Sequence, residues 1–152
     1  MEIDRNKFFF RFEDLRIYNK AIDYVNWVYS TTELFPESER LGLTSKFVNA
    51  SQSIAINIAE GSGRNKTQFI YYLKMAKSSI RECIVITTIA SKLSYLSEES
   101  IEESRNFLIE MTKMIGALIA SLQRSAEGGG YKRDDTDDIE DIAIEEDNRG
   151  NI

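Results

Sequence analysis

The chain has no histidine, a single cysteine and a single proline, and each shortage excludes something. Without histidine, the commonest general base and the commonest metal ligand are both missing. A serine or cysteine nucleophile would have no imidazole to activate it, which excludes triad-type catalysis. A di-iron helical bundle is excluded on the same ground, because it takes Glu-x-x-His pairs from two helices. Cys83 lies alone in an apolar run, so no disulfide, zinc cluster or CxxC pair can form within the chain. That usage fits a reducing, cytoplasmic setting. No run approaches the roughly 18–20 apolar residues needed to cross a bilayer. The first fifteen residues, "MEIDRNKFFFRFEDL", also lack the apolar region of a signal peptide.

Breakers are scarce as well. Pro36 is the only proline, and three of the eight glycines fall in one run, Gly128 to Gly130. The rest of the chain is therefore suited to long helices. Its 152 residues, 42% of them hydrophobic, suffice for one domain with a core of its own.

The formal net charge of −6 is unevenly distributed. Residues 1–126 carry 16 Lys and Arg against 15 Asp and Glu, a net of +1, whereas residues 127–152 carry 3 against 10, a net of −7. The acidity belongs to the tail, "EGGGYKRDDTDDIEDIAIEEDNRGNI". Such a segment buries too little apolar area to offset its ordering entropy, so it is expected to be disordered. It serves either to solubilise the protein or to compete with nucleic acid for a basic surface. The expected division is an N-terminal arm at 1–11, a helical domain at 12–126, and a Gly-run linker with acidic tail at 127–152.

Four helical patterns fill the middle of the chain. Leu15, Tyr18, Ile22, Val25 and Tyr29 recur at spacings of three and four, placing one apolar stripe on a helix from about Glu13 to Glu33. Pro36 then stops the helix. The second pattern opens at Thr44, a plausible N-cap. It sets Phe47, Ser51, Ile54 and Ile58 on one face, with Val48, Ala55 and Ala59 beside them, and ends at Gly61. The third starts at Asn65, which with Gln68 resembles a capping box. It continues through Phe69, Leu73, Ala76, Ile80, Cys83, Thr87 and Ala90. Ser97 caps the fourth, whose stripe is Ile101, Ser104, Leu108, Met111, Ile115, Leu118 and Leu122. Four amphipathic helices with short connections and no strand candidate make an all-α, antiparallel up-down-up-down four-helix bundle.

Some residues stand outside this plan. Tyr71, Met75, Val85 and Ile89 form a second apolar face on the third helix, which a bundle helix does not need; they point to an oligomer interface, although a scatter of tolerated surface hydrophobes would look the same. Glu98, Glu99, Glu102 and Glu103 imitate a metal cluster but read as a solvated helix start, where the dipole favours acids.

The stretch "NIAEGSGRNK", residues 57–66, suggests a phosphate cradle. It has neither the GxxxxGK[ST] spacing nor the preceding strand of a P-loop, and it lacks the third glycine of a dinucleotide fingerprint. Helix punctuation is the better reading, with Gly61 in the left-handed position that ends the second helix. Glu60 sits at the negative end of the helix dipole. Arg64 across the turn, or the loop amides, are the candidates to hold it. A catalytic role for Glu60 would need a partner group and a pocket, and the sequence shows neither.

The basic residues point to a partner. Lys46, Arg64, Lys66, Lys74, Lys77 and Arg81 face a single acid, Glu60, between Leu43 and Arg81. Lys74, Lys77 and Arg81 are spaced to share a helix face. Clustered Lys and Arg on one face are the footprint of phosphate-backbone contact, although a solvated face making salt bridges to a neighbouring helix would look the same.

The segments "FEDLRIYNKA", "LTSKFVNASQSIAINIAEGSGR", "FIYYLKMAKSSIRE" and "LSYLSEE" follow one another as in a known family. The chain resembles the four-helix-bundle proteins encoded in intervening sequences of large-subunit ribosomal RNA genes, over about Phe12 to Leu122. Ser53, Asn57, Glu60 and Gly61 carry the most diagnostic motif. The family is similar in turn to the accessory variability determinant proteins of diversity-generating retroelements. That likeness implies a homopentameric ring that binds nucleic acid and a reverse transcriptase. Val48 and Asn49 stand where the family often has arginines, and the near-neutral core differs from the strongly basic retroelement proteins. The expectation is a non-enzymatic, cofactor-free, metal-free, cytoplasmic homo-oligomer that binds RNA or another nucleic acid. The alternative is a protein-interaction scaffold.

Overall fold

A computed structural model of the chain describes residues 10–127. The expected arm at 1–11, apart from its last two residues, and the expected disordered tail beyond residue 127 lie outside the described residues. Four helices account for most of the described chain: α1 at Arg16–Thr32, α2 at Leu43–Ser62, α3 at Lys66–Lys92 and α4 at Glu98–Glu127. Single turns of 3-10 helix precede α1 at Arg11–Asp14 and α2 at Glu37–Glu39. Among the described residues there is no strand.

Helix α1 packs on α2 and α4, and α3 packs on the same two, while across the diagonal the Tyr24 side chain of α1 reaches Cys83 of α3. The four helices therefore enclose one core. Its largest fully buried side chains include Tyr24 from α1, Phe47, Ile54 and Ile58 from α2, Leu73 and Ile80 from α3, and Leu108, Met111 and Ile115 from α4. Burying a side chain of this size stabilises the fold by about 1.5–3 kcal/mol. An aromatic cluster closes one region of this core. Tyr24 stacks on Trp27 with centroids 5.7 Å apart, Phe107 lies 5.4 Å from Tyr24, and Phe35 lies 5.5 Å from Tyr95. The Trp27 indole N–H donates to the Glu103 carboxylate at 2.9 Å, so one of the four clustered glutamates anchors α4 to α1.

The α2, α3 and α4 stripes fall largely where their periodicity puts them, and α1 does not. Its buried face is Ile17, Ala21, Tyr24 and Val28, while Ile22 and Tyr29 are exposed. The helix also starts later than expected, because Leu15 is extended (φ −71°, ψ 124°) between the 3-10 turn and α1. Two apolar stripes run along this segment side by side, and periodicity alone does not choose between them. What distinguishes the buried one is its partner: the Tyr24 hydroxyl meets Ser104 Oγ at 2.8 Å.

Of the other three helix starts, two are as read and one is not. Asn65 Oδ1 accepts from the Gln68 N–H at 2.9 Å, and Ser97 Oγ accepts from the Ser100 N–H at 3.1 Å. Helix α2, however, begins at Leu43 rather than after Thr44. The Glu39 carboxylate accepts from the Leu43 N–H at 3.0 Å, so an acid from the preceding turn caps the helix. Among the described residues, no helix is long and apolar enough to cross a membrane.

Candidate nucleic-acid interface

Helices α2 and α3 form the side of the bundle that carries the expected site, and the turn between them fixes their approach. Gly61 is not a left-handed terminator but a buried residue inside the last turn of α2. A Cβ added there would stand 2.6 Å from Tyr72 Cβ and 3.0 Å from Phe69 Cδ1. The position needs glycine because the start of α3 packs against its backbone. The helix ends instead at Gly63, whose backbone is near φ −83° and ψ 2°. Asn57 donates from Nδ2 to the Ser53 carbonyl at 2.8 Å and to Ser53 Oγ at 3.2 Å. Ser53, Asn57 and Gly61 thus serve local helix geometry and close packing.

Glu60 meets Arg64 one turn on, with Oε1 and Nη2 3.5 Å apart and side chains about half exposed. A pair this long and solvated contributes little to stability. The Arg64 guanidinium also lies 5.4 Å from the centroid of the Tyr72 ring. This cation–π contact orients the arginine at the turn.

The six basic residues divide by position. Lys46, Arg64, Lys66 and Arg81 are exposed and Lys74 is half-buried. Lys77 is buried, at 9% exposure, and does not share the outer face with Lys74 and Arg81. Its i−4 and i+3 neighbours, Leu73 and Ile80, are core residues, so the stem of Lys77 is drawn over the core edge. Lys74, Lys77 and Arg81 are each engaged in an interaction, and Lys66 donates to Ser125 Oγ, tying the start of α3 to α4.

A groove of about 720 Å³ runs between α2 and α3. Leu43, Ala50 and Ile86 form its apolar floor, and Lys46, Arg81 and Glu82 are on its walls with Val85 and Ile89. Two of the expected phosphate contacts and two of the expected interface residues therefore share one surface. Tyr71, Met75, Val85 and Ile89 are 42–59% exposed. Near the α2–α3 turn, a smaller cleft joins Glu60 and Arg64 to Phe10, Arg11 and Phe12. The sequence reading missed this proximity, since nothing local to "FFFRF" signals which helix end it meets.

In the core, burial pushes the Cys83 thiol up to about 12, although a hydrogen bond with Tyr24 pulls the other way. Burial also raises Tyr24, as does the neighbouring Cys83. Neither group is a nucleophile at neutral pH. Among the described residues, no cluster of three or more His, Cys, Asp or Glu side chains could hold a metal ion.

No match was found among curated proteins. The family model described as 23S rRNA-intervening sequence protein matches residues 13–117, more than half of the chain, from the 3-10 turn through α1, α2 and α3 into α4. On that match, together with its four packed helices, the chain belongs to the 23S rRNA-intervening sequence protein family.

Proposed function

We propose that the protein is a non-enzymatic, cytoplasmic homo-oligomer that binds RNA through the α2–α3 side of an up-down-up-down bundle. The observation that carries the RNA reading is the placement of Lys46, Arg64, Lys66 and Arg81. All four are exposed on α2, α3 and the turn between them. With Lys74 they form a basic strip suited to phosphate contacts, and Lys77 drops out because it is buried. The topology is supported by pairs that run in opposite directions. Lys20 pairs with Glu110, Tyr24 with Ser104 and Trp27 with Glu103. Gly61 lies against Tyr72 while Lys46 and Val85 share a groove farther along.

Self-association is supported by the exposed apolar residues Tyr71, Met75, Val85 and Ile89. Five subunits is the number that the family resemblance implies. A ring would repeat the basic strip by symmetry and add its fields together.

Titration of a structured RNA by fluorescence anisotropy at two salt concentrations tests the reading. Affinity should fall with a log–log slope of about −0.9 per duplex phosphate neutralised. Charge reversal at Lys46 and Arg81 together should flatten that slope. Absence of binding at low salt, with the acidic tail removed as well as present, would sink it.

The apolar floor of the α2–α3 groove favours a second reading, a scaffold whose groove receives a protein partner such as a reverse transcriptase subunit. In that case removing the tail changes solubility alone and unmasks no RNA binding.

A further inference from the structure

Two segments distant in sequence meet at the end of α2. Phe10, Arg11 and Phe12 lie beside Glu60, Gly63 and Arg64, and together they line an open cleft of about 370 Å³. That volume is within the range of small-ligand sites. Phe10 is 63% exposed, with its ring stacked on Phe12 at a centroid distance of 6.0 Å and an interplanar angle of 20°. Phe12 in turn meets Tyr18 edge-on at 5.0 Å, and Tyr18 packs against the core. The inner ring is thereby fixed, and it supports the outer ring as a platform presented to solvent.

The polar walls carry both signs of charge. Arg11 and Arg64 supply two guanidiniums, and Glu60, 57% exposed, supplies a carboxylate at the carbonyl end of α2. A bare phosphate at the centre of this cleft would face both Glu60 and the negative end of the helix dipole. A ligand that fits must bring a flat apolar face to Phe10, hydrogen-bond donors to Glu60, and negative charge only at its margins, within reach of the arginines.

We infer that the cleft binds one unpaired guanine nucleotide of an RNA strand. The base stacks on Phe10, its Watson–Crick edge donates to Glu60, and its flanking phosphates meet Arg11 and Arg64. The inference rests on the RNA-binding reading above and adds to it the strand state and the base. A paired base has both faces covered and its Watson–Crick edge occupied, so a stacking platform selects unpaired nucleotides. An ionised carboxylate only accepts hydrogen bonds. Guanine presents two adjacent donors, N1–H and the N2 amino group, which match the two carboxylate oxygens. Adenine and cytosine set a ring acceptor beside their single amino group, and uracil flanks its one donor with two carbonyls. Arginine is the side chain suited to forked contact with phosphate oxygens.

The test is an anisotropy titration of the full-length protein at low salt with four labelled RNAs. These are the single-stranded heptamer UUUGUUU, the same strand with inosine at its centre, all-uridine, and a fully paired hairpin stem. The guanine heptamer is expected to bind about tenfold tighter than all-uridine, and inosine, which lacks the N2 amino group, should lose several-fold. Glu60→Gln should erase the difference between guanine and inosine. Phe10→Ala, at a mostly exposed position that the fold does not need, should remove the preference of guanine over uridine. Equal binding of guanine and uridine heptamers, or a preference untouched by Phe10→Ala, overturns the inference while leaving hairpin binding and the broader reading intact. If neither the hairpin nor any heptamer binds, both fall together.

Discussion

The Tyr24 hydroxyl and Ser104 Oγ lie 2.8 Å apart and join α1 to α4 across 80 residues of sequence. Both residues are fully buried; the Tyr24 hydroxyl also meets the Cys83 thiol, whereas the Ser104 hydroxyl is bonded by Tyr24. Tyr24→Phe leaves Ser104 stranded in the core and is expected to cost about 1–3 kcal/mol, as is Ser104→Ala. The double variant should cost clearly less than the sum of the two, since it leaves neither partner unpaired. Urea unfolding of the four proteins measures this, and strict additivity would show that the bond contributes nothing specific.

The same region makes the fold sensitive to alkali. Burial raises the Cys83 thiol from 9.0 to about 12 and raises Tyr24 as well. At high pH the unfolded chain therefore gives up protons that the folded chain keeps. Stability contributed by the Cys83 thiol is fully present below pH 9, falls as the pH rises above that unfolded value, and is lost through about 12, and Tyr24 adds to the loss in the same direction at higher pH. Melting temperature should decline from about pH 9 upward, and Cys83→Ala, measured against its own neutral-pH value, should decline less. The native thiol should also react with a disulfide reagent only as fast as the protein opens, and immediate reaction at neutral pH would contradict its burial.

How much of this was legible beforehand depended on whether the deciding partner was local. The Asn65 and Ser97 caps lie three residues from the amides they bind, and the α2, α3 and α4 stripes announce themselves by spacing. The face of α1 was not legible, because Tyr24 and Tyr18 head two equally apolar stripes and only Ser104 on another helix breaks the tie. Glu39 displaced Thr44 as the cap of α2 for a similar reason, since its side chain reaches the helix from outside it. Lys77 read as exposed because its charge was counted and its core neighbours were not. The cleft at Phe10 and Glu60 is wholly tertiary, and no local pattern encodes it.

Ser94 adopts a positive φ of 62°, the only non-glycine among the described residues to do so. It follows the α3 C-cap Leu93, with its N–H bonded to the Ser91 carbonyl and that of Tyr95 bonded to the Ala90 carbonyl. This is the six-to-one and five-to-two pairing of a helix stop that ordinarily takes glycine. Ser94→Gly should relieve the left-handed strain, with part of the gain offset by the freedom glycine adds to the unfolded chain. A net stabilisation of about 0.5–1 kcal/mol is expected, read as a rise of about 2–4 °C in melting temperature.

Gly61→Ala should act in the opposite direction. The new Cβ would lie 2.6 Å from Tyr72 Cβ, and both atoms are fixed to helix backbones, so α2 and α3 must move apart. Overpacking of this kind costs about 1–3 kcal/mol. Because Gly61 is helical, alanine brings no backbone strain and even a better helix propensity. Any loss of melting temperature therefore reports on helix separation. An unchanged or higher value would mean that the close approach at the α2–α3 turn is not required.

The apolar face of α3 yields a prediction about assembly. Val85 and Ile89 are 58% and 42% exposed and line the α2–α3 groove with Leu43 and Ile86. If copies of the chain associate across this face, Val85→Asp buries an unpaired carboxylate in the interface, a change that costs several kcal/mol and disfavours assembly. In the isolated subunit the same residue is solvated and should shift stability by no more than about 0.5 kcal/mol. Light scattering should then show a multimeric mass for the native chain and a lower mass for the variant, with the helical circular dichroism preserved. The RNA titration of the same variant separates the roles of the groove. Reduced affinity together with reduced mass would show that RNA binding depends on basic strips repeated around the assembly, whereas a mass that does not change would place self-association elsewhere on the bundle.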